Sequence, residues 1–290
     1  MMRYPWTWMV LLSLFSSCKR TEVVPGYLTV DQVSLSVAGG QGSSSQKVTT
    51  LWMYTDDRAE GAWDLPARIP VTQVGQRTIK AVAGIRRNGV STDRIIYPFY
   101  ATWSGQVELA PTQPASVQPV FSYFTGLSFW IEAFESAGNQ FDPDSQTDTT
   151  LIMVTTATGG PGDVFEGNGS GLIAVDTLRP FFRCVSSDAF TPPTGSPVFL
   201  ELDYRGDMRF LIGTYFTQGG TVTRNPYLFV NPTEAPGGGP VWNKIYVDLS
   251  PVMNLPGTTE RKFYIEARLP DGRNSATVRL DNVKLIHRQS

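Results

Sequence analysis

The sequence contains little histidine and little cysteine, and both shortages limit its chemistry. One histidine and two cysteines occur among 290 residues. The histidine, His287, lies three residues from the C-terminus, so a Ser-His-Asp or Cys-His arrangement has no usable base. The sequence also has no His/Cys pattern that could bind zinc. The composition therefore argues against an enzyme that uses a nucleophile or zinc.

Excess positive charge and long apolar segments are scarce as well. The chain has 24 Lys and Arg against 26 Asp and Glu, a net charge of −2. Without a basic excess or a basic run, nucleic acid is not an expected partner. Beyond the N-terminus, no segment is long and apolar enough to span a membrane. The glycine-rich stretches 159–162 and 237–240 lack the lysine and helix of a phosphate-binding loop.

The first residues form a targeting signal. Arg3 precedes a short apolar run, residues 6–15, and two serines then lead directly into Cys18. The run is too short for a transmembrane helix and is typical of a secretory signal peptide. We therefore expect residues 1–17 to be removed, with residues 18–27 as a short tether.

A cysteine directly after small residues makes this segment resemble a bacterial lipoprotein signal, in a form associated with the Bacteroidota. The resemblance implies that Cys18 becomes the lipidated, palmitate-carrying first residue of an outer-membrane lipoprotein, on the periplasmic or the surface side. Several acyl chains on one cysteine anchor a protein stably. The alternative is an ordinary secreted protein with a cysteine near the cleavage site. With Cys18 lipidated, Cys184 has no partner in the chain, and its apolar neighbours predict a buried thiol.

The remaining composition predicts an all-β protein with two domains. Removal of residues 1–17 would leave 273 residues, more than one domain usually contains. A content of 27 Gly, 21 Pro and 12% aromatic residues favours strands and turns. We expect a small β-sandwich over residues 28–120 and a jelly-roll β-sandwich over residues 121–290.

Short strands and frequent turns characterise the first predicted domain. Alternation predicts strands at residues 28–37, 48–54, 77–85, 94–100 and 105–109. In the segment 56–71, Gly61 permits a turn, while Pro66 and Pro70 favour an extended edge arm. These features resemble a PEGA-like or other Ig-like accessory module.

Longer and more widely spaced strands characterise the second predicted domain. They are expected at residues 128–135, 149–155, 171–175, 198–204, 209–216, 227–230, 244–249, 262–268 and 277–287, a jelly-roll pattern. The stretches 165–173, 242–249 and 276–285 resemble the early, late and closing strands of galactose-binding-like domains and carbohydrate-binding modules. The resemblance implies a binding or structural module without fixing its ligand.

Two neighbouring strand patterns supply candidate ligand-binding residues. Period-2 alternation places Phe199, Glu201 and Asp203 on one face of their strand. Carbohydrate sites combine aromatic rings with oriented polar groups. The candidates are Glu201, Asp203, Tyr204, Arg209 and Tyr215. A core or surface role is the alternative for each of them, as it is for Trp242.

Acidic residues of the second domain suggest a calcium ion. Galactose-binding-like modules often join an acidic residue of the first strand to an aspartate of the last, and the matching positions are Glu132 or Glu135 with Asp281. Hard cations prefer such oxygen ligands. Alternatively, Asp281 ends a strand or turn. No other cofactor is expected.

The sequence therefore predicts a non-catalytic, lipid-anchored envelope protein whose jelly roll binds a glycan or a protein partner. One alternative is a structural or accessory subunit of an envelope secretion, adhesion or surface assembly. The cluster of acidic residues between 132 and 163 also leaves a glycan-active hydrolase as a less favoured alternative. Such an enzyme needs two carboxylates that converge in a cleft.

Overall fold

A computed structural model describes residues 24–233 and 237–289. The predicted signal peptide, Cys18 and most of the predicted tether lie outside the described residues. Regular structure is almost entirely β, apart from one short helix, α1 (Ser250–Met253). No helix in the described part of the chain is long and apolar enough to cross a membrane.

Ten strands build the first sandwich. They are β1 (Gly26–Val30), β2 (Ser34–Ser36), β3 (Thr50–Thr55), β4 (Arg58–Asp64), β5 (Ala67–Val71), β6 (Gly75–Arg86), β7 (Arg94–Ile96), β8 (Trp103–Leu109), β9 (Pro114–Ser116) and β10 (Val120–Ser122).

The first sandwich packs a larger sheet, β4-β3-β6-β7 with β8 also on β6, against smaller sheets, β5-β1-β9 and β10-β2. Leu51 of β3 and Ile79 of β6 are fully buried in its core. Pro70 lies in β5, an edge strand, where a missing backbone donor is tolerated. The strand predicted at 28–37 is two strands, because the exposed Asp31 and Gln32 interrupt it and β2 joins a different sheet.

Eleven strands build the second sandwich. They are β11 (Leu127–Glu132), β12 (Phe141–Pro143), β13 (Ile152–Thr155), β14 (Gly169–Asp176), β15 (Phe181–Ser186), β16 (Val198–Gly206), β17 (Phe210–Gln218), β18 (Thr221–Val230), β19 (Asn243–Asp248), β20 (Thr258–Arg268) and β21 (Ser275–Arg288).

The second sandwich has two large sheets. The inner sheet has the order β13-β14-β21-β16-β19, with β11 also on β21, and the outer sheet has the order β12-β15-β20-β17-β18. Alternating residues such as Leu202 of β16, Ile212 of β17 and Phe263 of β20 fill the core between them. Cys184 of β15 is buried there, as expected. The predicted all-β fold class of sandwiches is confirmed.

The two sandwiches share a packed boundary. Phe199 and Ile286 of the inner sheet join the hydrophobic core of the first sandwich. The backbone N–H of Asn88 donates to Tyr246 O at 2.8 Å, and Tyr123, beyond the predicted boundary at 120, also packs in the first core. The division into domains of residues 28–120 and 121–290 stays a prediction.

Candidate functional site

The predicted ligand residues lie on different faces of the second sandwich. Alternation in β16 is as expected, with Tyr204 turned to the core and Glu201 and Asp203 turned to the opposite side. That opposite side is covered by the first sandwich. Arg209, directly before β17, and Tyr215 in β17 belong to the outer sheet instead. The structure therefore does not bring the five residues together.

Glu201 is enclosed at the boundary between the sandwiches. Its side chain is 0% exposed, and its Oε1 accepts hydrogen bonds from Tyr97 Oη at 2.5 Å and Tyr123 Oη at 3.0 Å. Lys244 Nζ lies 3.3 Å from Oε2. Burial, followed by the charge of Glu201, raises the pKa of both tyrosines well above its ordinary value, so the hydroxyls stay protonated and donate.

Asp203 belongs to the same enclosed cluster. Its Oδ1 accepts a 2.8 Å bond from Ser45 Oγ, its Oδ2 accepts one from Asn282 at 3.3 Å, and Lys244 Nζ is 3.8 Å from Oδ2. Burial raises the pKa of Asp203. The first sandwich thus fills the face of β16 on which a ligand was predicted to bind. Alternation identifies the two faces of a strand but not what packs on each of them. Glu201 and Asp203 hold the sandwiches together rather than face solvent.

The three predicted calcium ligands use their oxygens elsewhere. Glu132 accepts two backbone N–H bonds of 2.6 Å, Glu135 accepts those of residues 168–169 at 2.8 and 3.2 Å, and Asp281 accepts those of residues 165–166 at 3.2 Å. N–H donors occupy the positions that a cation would need. No three acidic, His or Cys side chains of the described residues are grouped to hold a metal. These residues do not fit a calcium site in this arrangement, and calcium stays an untested prediction.

The solvent side of the outer sheet, here called the outer face, carries a second polar cluster. Strand alternation in β20 turns Phe263 and Ile265 inward and Tyr264 and Glu266 outward. Strand β15 places Arg183 directly beside Glu266. Neighbouring strands thus bring outward side chains into rows across the sheet.

Arg183 and Glu266 form the centre of the outer face. Arg183 Nε donates to Glu266 Oε2 at 2.8 Å, and Arg224 of β18 donates to the same oxygen at 2.5 Å. The guanidinium of Arg183 also reaches Asp144 and the hydroxyl of Tyr215, both at 3.2 Å. Each charge therefore has a partner of opposite sign, and the hydrogen bonds fix the geometry.

Tyr264 lies flat across this cluster because its neighbour is a glycine. A Cβ on Gly213 would lie 2.3 Å from the Tyr264 ring. The guanidinium groups of Arg183 and Arg224 lie 5.7 and 5.0 Å from the ring centre. Burial raises the pKa of Tyr264 to about 12. Its hydroxyl, buried too, has no hydrogen-bond partner among the described residues.

A cleft of about 650 Å³ opens at one end of the outer face. Its walls include Arg209, Leu211, Phe229, Glu266 and Arg268. The Phe229 ring is 56% exposed, with the Arg209 guanidinium 4.7 Å from its centre. The cleft thus combines an accessible apolar ring with fixed hydrogen-bonding groups, a combination that suits a sugar ring.

Two of the five predicted ligand-binding residues, Arg209 and Tyr215, lie on the outer face, whereas Arg183, Glu266 and Phe229 were not predicted. Glu266 had a usable signal, because residues 262–268 alternate between charged or tyrosine and apolar side chains. Arg183 was missed because β15 was not predicted as a strand.

An aromatic pair lies away from the outer face. The rings of Phe165 and Trp242 are 5.5 Å apart, and Trp242 Nε1 donates to Gly162 O at 2.7 Å. Phe165 is exposed, so this pair is a second surface on which a sugar could stack. No cleft comparable with that at Phe229 adjoins both rings among the described residues.

No protein-family model matches this sequence, and no curated protein matches it. Several solved structures do, over about half of this chain. The K2 cleaved adhesin domain of Lys-gingipain is 16% identical with a TM-score of 0.35, covering 55% of this chain and 97% of that one.

Two carbohydrate-binding modules, the class that the sequence resembles, are similar to a comparable degree. The module CBM28, specific for non-crystalline cellulose, is 12% identical with a TM-score of 0.37 and covers 55% of this chain and 92% of its own. The CBM22-2 xylan-binding domain from Paenibacillus barcinonensis Xyn10C is 13% identical with a TM-score of 0.35. The match covers 55% of this chain and 99% of that domain. Likeness at this level shows no ligand for this chain, so the ligand has to be inferred from its own side chains.

Proposed function

We propose that this protein is a non-catalytic glycan-binding protein that uses the cleft on its outer face. The observation that supports this most is the exposed Phe229 ring beside Arg209 in a cleft of about 650 Å³. Sugar rings present apolar C–H faces that stack on aromatic rings, while their hydroxyls need oriented donors and acceptors. Arg209, Arg268 and Glu266 supply these groups at the cleft.

Rigidity of the polar groups supports binding. Within the lining of the cleft, Glu266 is held by Arg183 and Arg224 from outside it, and Asp207 is held by Arg273, so these carboxylates need little ordering when a ligand arrives. Pre-ordered groups reduce the entropic cost of association. The cleft therefore has the fixed geometry of a recognition site.

The same contacts argue against hydrolysis. Glycoside hydrolysis needs a carboxyl group that donates a proton and a second carboxylate across the sugar bond. Glu266 is bound by two arginines, and Asp207, the other acidic residue with a defined partner at the cleft, is paired with Arg273 at 2.6 Å. Two of the three carboxylates that line the cleft among the described residues are thus held by arginines, and the third, Asp271, cannot supply a pair alone.

A lipid on Cys18 would place this binding module at the bacterial envelope. The proposal comes from the apolar run that ends at two serines and Cys18. We expect palmitate label and membrane association in the wild type, and loss of both in Cys18→Ala. An unlabelled wild-type protein that fractionates like the variant would disprove the anchor.

Affinity electrophoresis of the mature chain through a panel of neutral and acidic polysaccharides tests the glycan proposal. At least one polysaccharide should retard the wild type, and Phe229→Ala should reduce the retardation at least tenfold. Val222→Ala is the matched control, because Val222 is 68% exposed on the same strand and does not line the cleft.

Two results would redirect the proposal. If Trp242→Ala rather than Phe229→Ala abolished binding, the sugar would stack on the second aromatic pair. If no polysaccharide retarded the wild type, while a membrane pull-down recovered one stoichiometric envelope protein, the alternative of an accessory subunit would be favoured.

A further inference from the structure

A cavity of about 240 Å³ lies where the two sandwiches meet. The first sandwich contributes Lys47, Thr49 and Arg86 to its wall, and the second contributes Asn243 and Lys244. Lys47 is exposed at the rim, so the cavity is reached from solvent there. The volume is several times the roughly 30 Å³ that one water occupies in the liquid.

Three buried polar atoms at this wall lack a hydrogen-bond partner among the described residues. They are Thr49 Oγ1, one terminal nitrogen of Arg86, and Lys244 Nζ. Buried donors without partners are rare and cost stability. Lys244 Nζ lies within ion-pair distance of Glu201 Oε2, but the Thr49 hydroxyl and the Arg86 nitrogen are left unmatched at one small cavity, which indicates that the wall is built to face something that accepts hydrogen bonds.

The charges at the wall are of one sign. Three cations line the cavity, Lys47, Arg86 and Lys244, and no carboxylate of the described residues does. Lys47 Nζ bonds to the neutral side chain of Asn243. Its charge is therefore not balanced by the lining.

Carboxylates do lie behind two of the cations. The second terminal nitrogen of Arg86 donates to Asp64 at 3.1 Å, and Lys244 Nζ is 3.3 Å from Glu201. These contacts hold the cationic groups in place, while one nitrogen of Arg86 stays without a partner. Pre-positioned donors with anchored stems are what recognition of an oxyanion requires.

We propose that this junction cavity is a binding site for a small oxyanion of the sulfate or phosphate class. Lys47 and Arg86 of the first sandwich and Lys244 of the second would donate to its oxygens, with Thr49 as a neutral donor. The site is independent of the glycan cleft, because the two share no lining residue. A bound oxyanion would contact both sandwiches and stabilise their docked arrangement.

Thermal unfolding and calorimetric titration of the mature chain test the site. Sodium sulfate and sodium phosphate are compared with sodium chloride at equal ionic strength, because ionic strength alone changes surface electrostatics. We expect the oxyanions at low millimolar concentration, where the general stabilising effect of sulfate and phosphate on folded proteins is small, to raise Tm by several degrees above chloride, since a ligand that binds only the folded state stabilises it. Lys47→Gln and Arg86→Gln should each weaken binding at least tenfold.

Lys80→Gln is the control, because Lys80 lies on β6 like Arg86 but pairs with Asp57 outside the cavity. A wild type for which sulfate and phosphate do no more than chloride would overturn the proposal and indicate that water fills the cavity. Variants of Lys47 and Arg86 that bind like Lys80→Gln would overturn it too. Calorimetric titration with glucose 6-sulfate and with free sulfate distinguishes a sulfated sugar from an inorganic ion as the ligand. Tighter binding of the sulfate ester would identify the sugar.

Discussion

The two sides of the second sandwich differ in what covers their charged residues. On the covered side, Glu201, Asp203 and Lys244 of the inner sheet are sealed by tyrosines and serines of the first sandwich. On the outer face, Arg183 and Glu266 are equally well paired, yet Glu266 borders an open cleft. Similar charges thus hold a boundary together on one side and line a candidate binding site on the other.

This difference shows that pairing alone does not distinguish a structural ion pair from a binding group. A buried ion pair contributes little net stability but is costly to break, because one charge is left without a partner. A paired charge beside open space keeps lone pairs or protons for a ligand. Whether a face of the second sandwich is covered by the first sandwich or open to solvent, rather than which charged residues it carries, therefore decides whether an ion pair is structural or available to a ligand.

The largest expected effect comes from breaking the covered cluster. Lys244→Ala removes the cation within 4 Å of the buried Glu201 and Asp203 and leaves them only the more distant Lys284, which should lower the free energy of unfolding by about 3–5 kcal/mol. Chemical denaturation of the mature chain measures it. The matched control is Arg268→Ala on the outer face, where an exposed pair should contribute at most about 1 kcal/mol. Equal losses in both variants would contradict the distinction between the two sides.

A smaller effect is expected from crowding the outer face. Gly213→Ala places a Cβ 2.3 Å from the Tyr264 ring, so the tyrosine has to move. Overpacking of this kind should lower the free energy of unfolding by about 1–3 kcal/mol. It should also weaken glycan retardation, because Tyr264 contacts Arg183 and Arg224, which hold Glu266 at the cleft. A variant with unchanged stability and binding would show that Tyr264 does not position these arginines.

The smallest predicted effect on stability depends on pH. Burial lowers the pKa of Lys284, on the covered side, to about 8 from its ordinary 10.5. Between these values the unfolded chain binds more protons than the folded chain, so stability should rise as pH increases from about 8. Lys284 should contribute a gain of about 1 kcal/mol between pH 8 and 9, a range that ends below the pKa of about 10 at which tyrosines ionise in the unfolded chain. Lys284→Met should remove this slope in denaturation curves, and an equal slope in the variant would disprove the assignment.

Much of this architecture could be predicted from period-2 alternation. Strands β16, β17 and β21 lie close to their predicted positions, and Tyr204 and Glu201 are on opposite faces, as predicted. Strands β12 and β15 were missed. Strand β12 has three residues, too few to show alternation, and the six residues of β15 carry no regular alternation of polar and apolar side chains.

The site was harder to predict because it depends on contacts between distant segments. Nothing local to Glu201 indicates that Tyr97, more than a hundred residues earlier, covers it. The backbone N–H groups that donate hydrogen bonds to the Asp281 carboxylate likewise come from distant residues, 165–166. Sequence patterns identified which residues carry charge, and long-range packing decided which of them meet solvent.

The most direct test of the account is a comparison of polysaccharide binding by the mature wild type, Phe229→Ala and Glu201→Gln. Affinity electrophoresis measures binding to the polysaccharide that retards the wild type most. If the glycan binds the cleft of the outer face, binding should be at least tenfold weaker for Phe229→Ala and unchanged for folded Glu201→Gln, because Glu201 lies on the covered side. Binding that survives Phe229→Ala but is lost in folded Glu201→Gln would contradict it.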